Sequence, residues 1–377
     1  MNRILLIGLT PFASGINSFI KNTYPYFDHD LFSYDFLMME QYRYKGKLSA
    51  DFDVSGSNFY YLDFTREGMP KRSRSKLRDI ILSIPNICGV HVHDINHMTY
   101  PLIIADQIGL PIKVMHFHTG YPKNNRKDYS IDEEAKKRLS LIRGDGFDRL
   151  ACSDLAGELG FQGMPYEIIP NGITPEKYAY NPLYRKIIRE KLHIDNDAYV
   201  LGFFSNISAN KNPIYALQVF QRFLSMAPGS ILIFSGLNNS DMTTRSYVRD
   251  NCLEDSVIFL QTDDSIDMLY SAVDLILFTS FREGNSYVPI EAQASGLPCL
   301  ISDAVTDMVK ITDLAYKLPL DLDPDEWAKK ALHILQGYKN RTSRTKEISD
   351  AGYHAKDVAK IIQNIYLRRL DPRDKKA

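Results

Sequence analysis

The chain is poor in cysteine and has no cysteine pattern. Its four cysteines, Cys88, Cys152, Cys252 and Cys299, are scattered without a Cys-x-x-Cys pair. That excludes a thiolate zinc finger and a disulfide scaffold, and fits free thiols in a reducing compartment. Net charge is nearly absent as well: 45 Lys+Arg against 46 Asp+Glu leave −1. The basic excess that marks general nucleic-acid binding is missing, so no nucleic-acid partner is expected. Long apolar runs are also lacking. No stretch approaches the roughly 18 apolar residues that span a bilayer, and the opening run "RILLIG" stops at Gly8, short of a signal-peptide core. The expectation is a soluble cytoplasmic protein without internal repeats or low-complexity tracts.

What is present is a regular series of short apolar runs. In the first half they are "RILLIG" (3–8), "YDFLM" (34–38), "FYYL" (59–62), "GVHVH" (89–93), "IKVMHF" (112–117) and "EIIP" (167–170). In the second half they are "YVLGFFS" (199–205), "SILIFSG" (230–236), "SVIFL" (256–260), "DLILFTS" (274–280) and "PCLIS" (298–302). Runs that are apolar throughout, rather than alternating, suit parallel strands buried on both faces. Amphipathic stretches such as "NPIYALQVFQRFLSM" (212–226) lie between them, as βαβ units require. A length of 377 residues suits two domains. Two such series therefore predict an α/β protein of two doubly wound domains, hinged after "PNGITPEKYAYNP" (170–182).

In open α/β sheets ligands sit beyond the carboxyl ends of the strands, which directs attention to "FREGNSYVPIEAQASGLPC" (281–299) after "DLILFTS". Glu283-Gly284-Asn285-Ser286 reads as a turn, Asn285 or Ser286 as the cap of a helix, and Gly296 as its stop. The amino end of that helix offers free N–H groups to an anion, and Gly284 and Asn285 allow close backbone approach by a phosphate. Glu283 at the mouth of the turn could accept hydroxyls of a bound group, and Glu291 two turns on could accept a diol such as ribose. Each glutamate alone also reads as an ordinary solvated acid.

The stretch "AVDLILFTSFREGNSYVPIEAQASGLPCLISDAVTDMV" resembles the Glu-x7-Glu region of family-4 retaining glycosyltransferases, in the bacterial capsule and exopolysaccharide branch. "PNGI" (170–173), "ACSDLAGELGF" (151–161), "HFHTG" (116–120) and "SGINSFIKNTYPYFDHDLFSYDFL" (14–37) extend the resemblance over nearly the whole chain. It implies a GT-B fold of two facing Rossmann-like domains. Residues 1–175 would form the acceptor domain, completed by 355–377 with a last helix crossing back, and 176–354 the nucleotide-sugar domain. It further implies transfer of a hexose from a nucleotide-diphosphate sugar, most readily a UDP-sugar, to a growing, lipid-linked capsule or exopolysaccharide glycan. Configuration would be retained, and neither a metal nor a cofactor would be needed. By position, Glu283 would meet the donor sugar and Glu291 the ribose, with the backbone of Gly284, Asn285 and Ser286 holding phosphate or sugar oxygens. Lys211 in "SANKNP" would bind the diphosphate, Gly15 would face the phosphates, and Thr262 in "FLQTDD" (259–264) would lie where the backbone meets the base. The family usually has arginine where this chain has Asn206, and "EGNSYVP" replaces the commoner "EGLPVVL". One diphosphate cation is thus missing, and polar groups stand beside the sugar.

Five of the nine histidines, His91, His93, His97, His116 and His118, fall within 28 consecutive positions and include two His-x-His pairs. Residues i and i+2 of a strand share a face, so either pair could chelate a metal. Under the resemblance, His118 or His116 instead sits near the transferred sugar as a catalytic group, and His91 and His93 are structural. The segment "REGMPKRSRSKLRDIIL" (66–82) is basic enough to rest on anionic headgroups as a peripheral membrane contact, or to be a solvated face. Two alternatives accompany this reading: a nucleotide-sugar 2-epimerase of the same fold, and a non-catalytic subunit that binds sugar or nucleotide.

Overall fold

In the computed structural model of the chain, the residues described are 1–10, 14–43, 56–64, 69–93, 99–119, 137, 139–205, 208–236, 242–260, 266–338 and 340–371. They divide into two units. One runs to Gly172 and resumes at Ala355, and the other runs from Ile173 to His354.

The first unit is built on seven strands: β1 (Asn2–Ile7), β2 (Phe32–Met39), β3 (Phe59–Leu62), β4 (Ile87–His93), β5 (Ile112–Phe117), β6 (Asp148–Ala151) and β7 (Glu167–Ile168). Helices α1 (Gly15–Thr23), α2 (Lys71–Ser83), α3 (Thr99–Gln107) and α4 (Asp154–Phe161) alternate with them. The strand order is β3-β2-β1-β4-β5-β6-β7, with every pairing parallel. All six residues of β5 are buried, as a strand covered on both faces requires. Gly8 ends β1 with φ +127°, and a Cβ there would lie 2.1 Å from the carbonyl oxygen of His93. Only glycine lets β1 and β4 close together at their carboxyl ends.

The second unit repeats the pattern with β8 (Val200–Phe204), β9 (Ile231–Ser235), β10 (Val257–Leu260), β11 (Leu275–Phe278), β12 (Cys299–Ser302) and β13 (Ala315–Leu318). Its helices are α5 (Pro182–Lys191), α6 (Pro213–Met226), α7 (Met242–Asp250), α8 (Ile266–Ala272), α9 (Tyr287–Ala294), α10 (Pro324–Gly337) and the single turn α11 (Thr345–Ile348). The order β10-β9-β8-β11-β12-β13 is again all parallel. Its core is aromatic-rich, with Phe203, Phe220, Phe223, Phe234 and Trp327 buried together.

The last helix, α12 (Ala355–Leu370), belongs to the first unit. Val358, Ile362 and Tyr366 bury its apolar stripe. Arg369 forks onto Asp148 of β6 with two bonds of 2.9 Å, a bidentate geometry that fixes register as well as charge. Both units are thus doubly wound α/β sheets of the Rossmann kind, as the apolar runs predicted. Two strands escaped the sequence reading. β6, "DRLA", and β13, "AYKL", carry only four residues each, with charged or polar groups among them.

Candidate functional site

Each sheet reverses its winding between one pair of strands, β1/β4 in the first unit and β8/β11 in the second. A crevice opens at such a reversal, because the connections on its two sides leave in opposite directions.

In the second unit the loops after β8 and β11 are laced together there. The amide of Phe281 donates to the carbonyl of Asn210 at 2.8 Å, and Asn210 Nδ2 donates to the carbonyl of Arg282 at 2.9 Å. Thr279 Oγ1 donates to the carbonyls of Lys211 and Asn212, each at 3.0 Å. Asn212 adopts a left-handed φ of 54° before Pro213 opens α6, which turns the chain sharply and leaves Lys211 beside the neighbouring loop. There its ammonium meets Glu283 at 2.6 Å, with side-chain exposures of 20% and 14%. Two residues the sequence separates by 72 positions therefore form one ion pair.

Gly284 and Asn285 are buried and Ser286 is half-buried. They lead directly into α9, where Ser286 occupies the N-cap position without a side-chain capping bond. Gly296 ends the helix at φ +67°, and a Cβ there would lie 2.0 Å from the carbonyl oxygen of Thr342. Glu291 is not a solvated helix acid. It is buried, accepts the hydroxyl of Tyr270 at 2.6 Å and bonds Tyr178 as well. Burial pushes its carboxyl above the usual value, while the two tyrosine donors pull the other way. The same burial, reinforced by the Glu291 charge, keeps both tyrosines protonated far above their usual range.

In the first unit, Gly15 opens α1 exposed to solvent, and a Cβ there would meet nothing within 4 Å. Ser14 Oγ caps the helix by accepting from the amide of Asn17 at 3.2 Å. His91 and His93 share a face of β4, and His93 lies opposite His116 of β5 in register. His118 follows β5, with its Nε2 3.0 Å from His93 Nδ1. Phe19 of α1 covers three of these rings at centroid distances of 5.5, 4.8 and 5.0 Å. Burial depresses all four imidazoles, His91 and His118 to about 3, with neighbouring histidines adding to it for His91, His93 and His116. For His118, a hydrogen bond to Asn171 opposes the shift. The rings are therefore neutral around pH 7. His116 is fully buried, whereas His118 is half-buried.

Asn206 and Thr262 lie outside the described residues. Of the remaining candidates, Lys211 and Glu283 come together, with Gly284, Asn285, Ser286 and Glu291 following on the same loop and helix. Gly15, His116 and His118 belong to the other unit. The sequence reading overlooked Asn210, Thr279, Tyr270, Tyr178 and Tyr366; nothing in their local pattern marks them.

Comparison with known proteins bears on the second unit most directly. Residues 184–350 match the model of the glycosyl transferases group 1 family. This segment, within the second unit, is therefore similar to a group 1 glycosyltransferase domain. Lys211, Glu283 and Glu291 all fall inside the matched segment, whereas His91, His93, His116 and His118 fall outside it. Over 366 residues the chain is 25% identical to EpsF, named as a glycosyltransferase, of Bacillus subtilis (strain 168), covering 93% of both chains. It is 26% identical over 226 residues, 57% of each chain, to the Escherichia coli UDP-Gal:alpha-D-GlcNAc-diphosphoundecaprenol alpha-1,3-galactosyltransferase. Among solved structures, Anabaena HepE in complex with UDP superposes with a TM-score of 0.72 at 15% identity, over 97% of this chain and 99% of that one. That likeness shows the fold, two Rossmann-like α/β units as in GT-B structures. Among the described residues no helix is long and apolar enough to cross a membrane.

Proposed function

We propose that the protein is a retaining hexosyltransferase that uses a nucleotide-diphosphate sugar, most readily a UDP-sugar, and extends a lipid-linked capsule or exopolysaccharide glycan. The observation that carries the reading is the Lys211–Glu283 pair at the β8/β11 reversal, 2.6 Å apart and immediately before α9. A diphosphate entering there would take Lys211 from Glu283 and lie against the amino end of the helix. Glu283, released from the lysine, would then accept a hydroxyl of the donor sugar. Glu291 has lone pairs to spare beyond its two tyrosine donors and would take the ribose diol.

In the reaction the bond between the anomeric carbon and the diphosphate oxygen breaks and its electron pair leaves with the phosphate. The acceptor hydroxyl bonds to the same face of that carbon, and its proton passes to the departing phosphate oxygen. Lys211 and the helix amides stabilise the developing negative charge, and Glu283 the positive charge on the sugar ring. No metal is assigned to this step. From the first unit, His118 is the proposed catalytic contributor, because His116 is sealed beneath Phe19. Gly15 is assigned to the phosphates on the resemblance alone.

For a membrane-bound acceptor, α2 supplies the contact. Its inner face buries Ser73, Leu77 and Ile81, leaving Lys71, Lys76 and Arg78 exposed. Arg72 pairs with Asp63, and Arg74 lies over the Tyr100 ring. Residues 66–68 lie outside the described residues. The deciding experiment is a panel of nucleotide-sugar donors followed by product analysis. Release of UDP with a glycoside of retained configuration supports the proposal. A C2-epimerised sugar nucleotide formed without acceptor, or binding without turnover, would replace it with an epimerase or a non-catalytic subunit.

A further inference from the structure

We propose that His91, His93 and His116 form a buried three-nitrogen site for a divalent cation of the zinc class. Each offers a ring nitrogen, and the three atoms lie within 4.8 Å of one another. Tetrahedral zinc with Zn–N bonds of about 2.0–2.1 Å needs nitrogens roughly 3.3 Å apart, so side-chain rotations of about 1 Å close the set. The register supplies the convergence. His93 pairs with His116 across β4 and β5, and His91 sits two residues back on the same face.

The hydrogen bonds on His91 and His93 are those of ligating imidazoles. A metal-bound histidine ties its other nitrogen to a neighbouring polar group, which fixes tautomer and ring direction. Tyr366 of α12 engages His91 through Nδ1 at 2.5 Å, and His118 engages His93 through Nδ1. That leaves Nε2 of both rings as the donor. Among the described residues, His91 Nε2 and both nitrogens of His116 have no hydrogen-bond partner although they are buried. Leaving a buried polar atom unsatisfied costs about 1–3 kcal/mol, and one ion would satisfy His91 Nε2 together with one nitrogen of His116. Nitrogen ligands without thiolate suit zinc, cobalt, nickel or copper, and disfavour magnesium and calcium. Three neutral donors leave a fourth position for water or an anion. The ion would pin the carboxyl ends of β4 and β5 and, through His93, set the direction of His118.

The test uses the full chain stripped with a chelator and then titrated with Zn²⁺ against a chromophoric competitor, and separately with Co²⁺. One equivalent of Zn²⁺ is expected, with visible Co²⁺ bands of tetrahedral intensity and a rise in melting temperature. His91→Gln and His116→Gln should each weaken binding by about 100-fold, whereas His333→Gln, at an exposed histidine, should not. Tyr366→Phe keeps the core shape and should weaken binding about tenfold; it decides the matter if the histidine variants fail to fold. Absence of stoichiometric Zn²⁺, or binding indifferent to His91, His116 and Tyr366, overturns the site. None of these readouts uses sugar transfer, so failure here leaves the transferase reading intact, and the reverse also holds.

Discussion

Glu283→Gln separates the two functions that the Lys211 pair combines. At 2.6 Å the unrelaxed attraction is about 6 kcal/mol for an effective dielectric of 20, and desolvation of both partners cancels most of it. What survives is about 1.5–3 kcal/mol for a charge-assisted bond against about 0.5–1.5 for a neutral one. Replacing carboxylate by amide keeps the shape and a neutral bond, and so removes about 1 kcal/mol. In a unit of this size that lowers the melting temperature by about 2–4 °C. The same increment should reappear with opposite sign in nucleotide binding, because UDP no longer competes with a full negative charge for Lys211. Calorimetric titration with UDP should therefore show affinity unchanged or up to about fivefold tighter. Turnover should nevertheless fall steeply, since the charge that stabilises the sugar in the transition state is gone. Weaker UDP binding, by threefold or more, would refute the reasoning and make Glu283 a holder of nucleotide. Normal turnover would make it an ordinary loop acid.

Lys211→Ala should weaken UDP far more than uridine, read by the same titration, because the lysine is assigned to the diphosphate and not to the base or ribose. Glu291→Gln should weaken UDP by about 1–2 kcal/mol and should also alter the pH dependence of stability. The folded carboxyl titrates above its unfolded value, so its contribution is full below the ordinary carboxylate range and declines as pH rises through the raised one. Chemical melts across that window should lose this decline in the variant. Gly296→Ala combines a left-handed φ with a backbone clash against Thr342 and should cost at least about 1–3 kcal/mol of stability by denaturant titration. If anionic vesicles bind through α2, replacing Lys71, Lys76 and Arg78 by glutamine should abolish co-flotation while leaving turnover on a soluble acceptor unchanged.

The two doubly wound sheets were legible because buried parallel strands must be apolar along their whole length, and "IKVMHF" or "DLILFTS" has little alternative use. β6 and β13 were not, since four residues containing Asp148 and Arg149, or Lys317, carry no such pattern. Their place comes from long-range partners: Arg369 of α12 on Asp148, and parallel pairing of β13 to β12. The turn at Glu283 to Ser286 was legible for a local reason, a glycine-bearing stretch between a strand and a helix. The state of its side chains was not, because burial and pairing are tertiary facts.

Glu291 shows the difference most clearly. By composition alone a helix glutamate is a solvated group, and that reading is wrong for this residue because Tyr270 and Tyr178 close over it. Those tyrosines arrive from α8 and from the turn at Pro175–Tyr178, and both are too remote in sequence for any local period to reveal. A buried carboxylate is stable only with donors that satisfy it, and a carboxylate held by two hydroxyls is also oriented. The histidines follow the same logic in reverse. Alternation along β4 and β5 predicted that each pair shares a face, but not that the two pairs merge across the sheet under Phe19. Strand periodicity fixes the direction of a side chain, and strand order decides what it meets. At both winding reversals it is the second step that brings the isolated residues together.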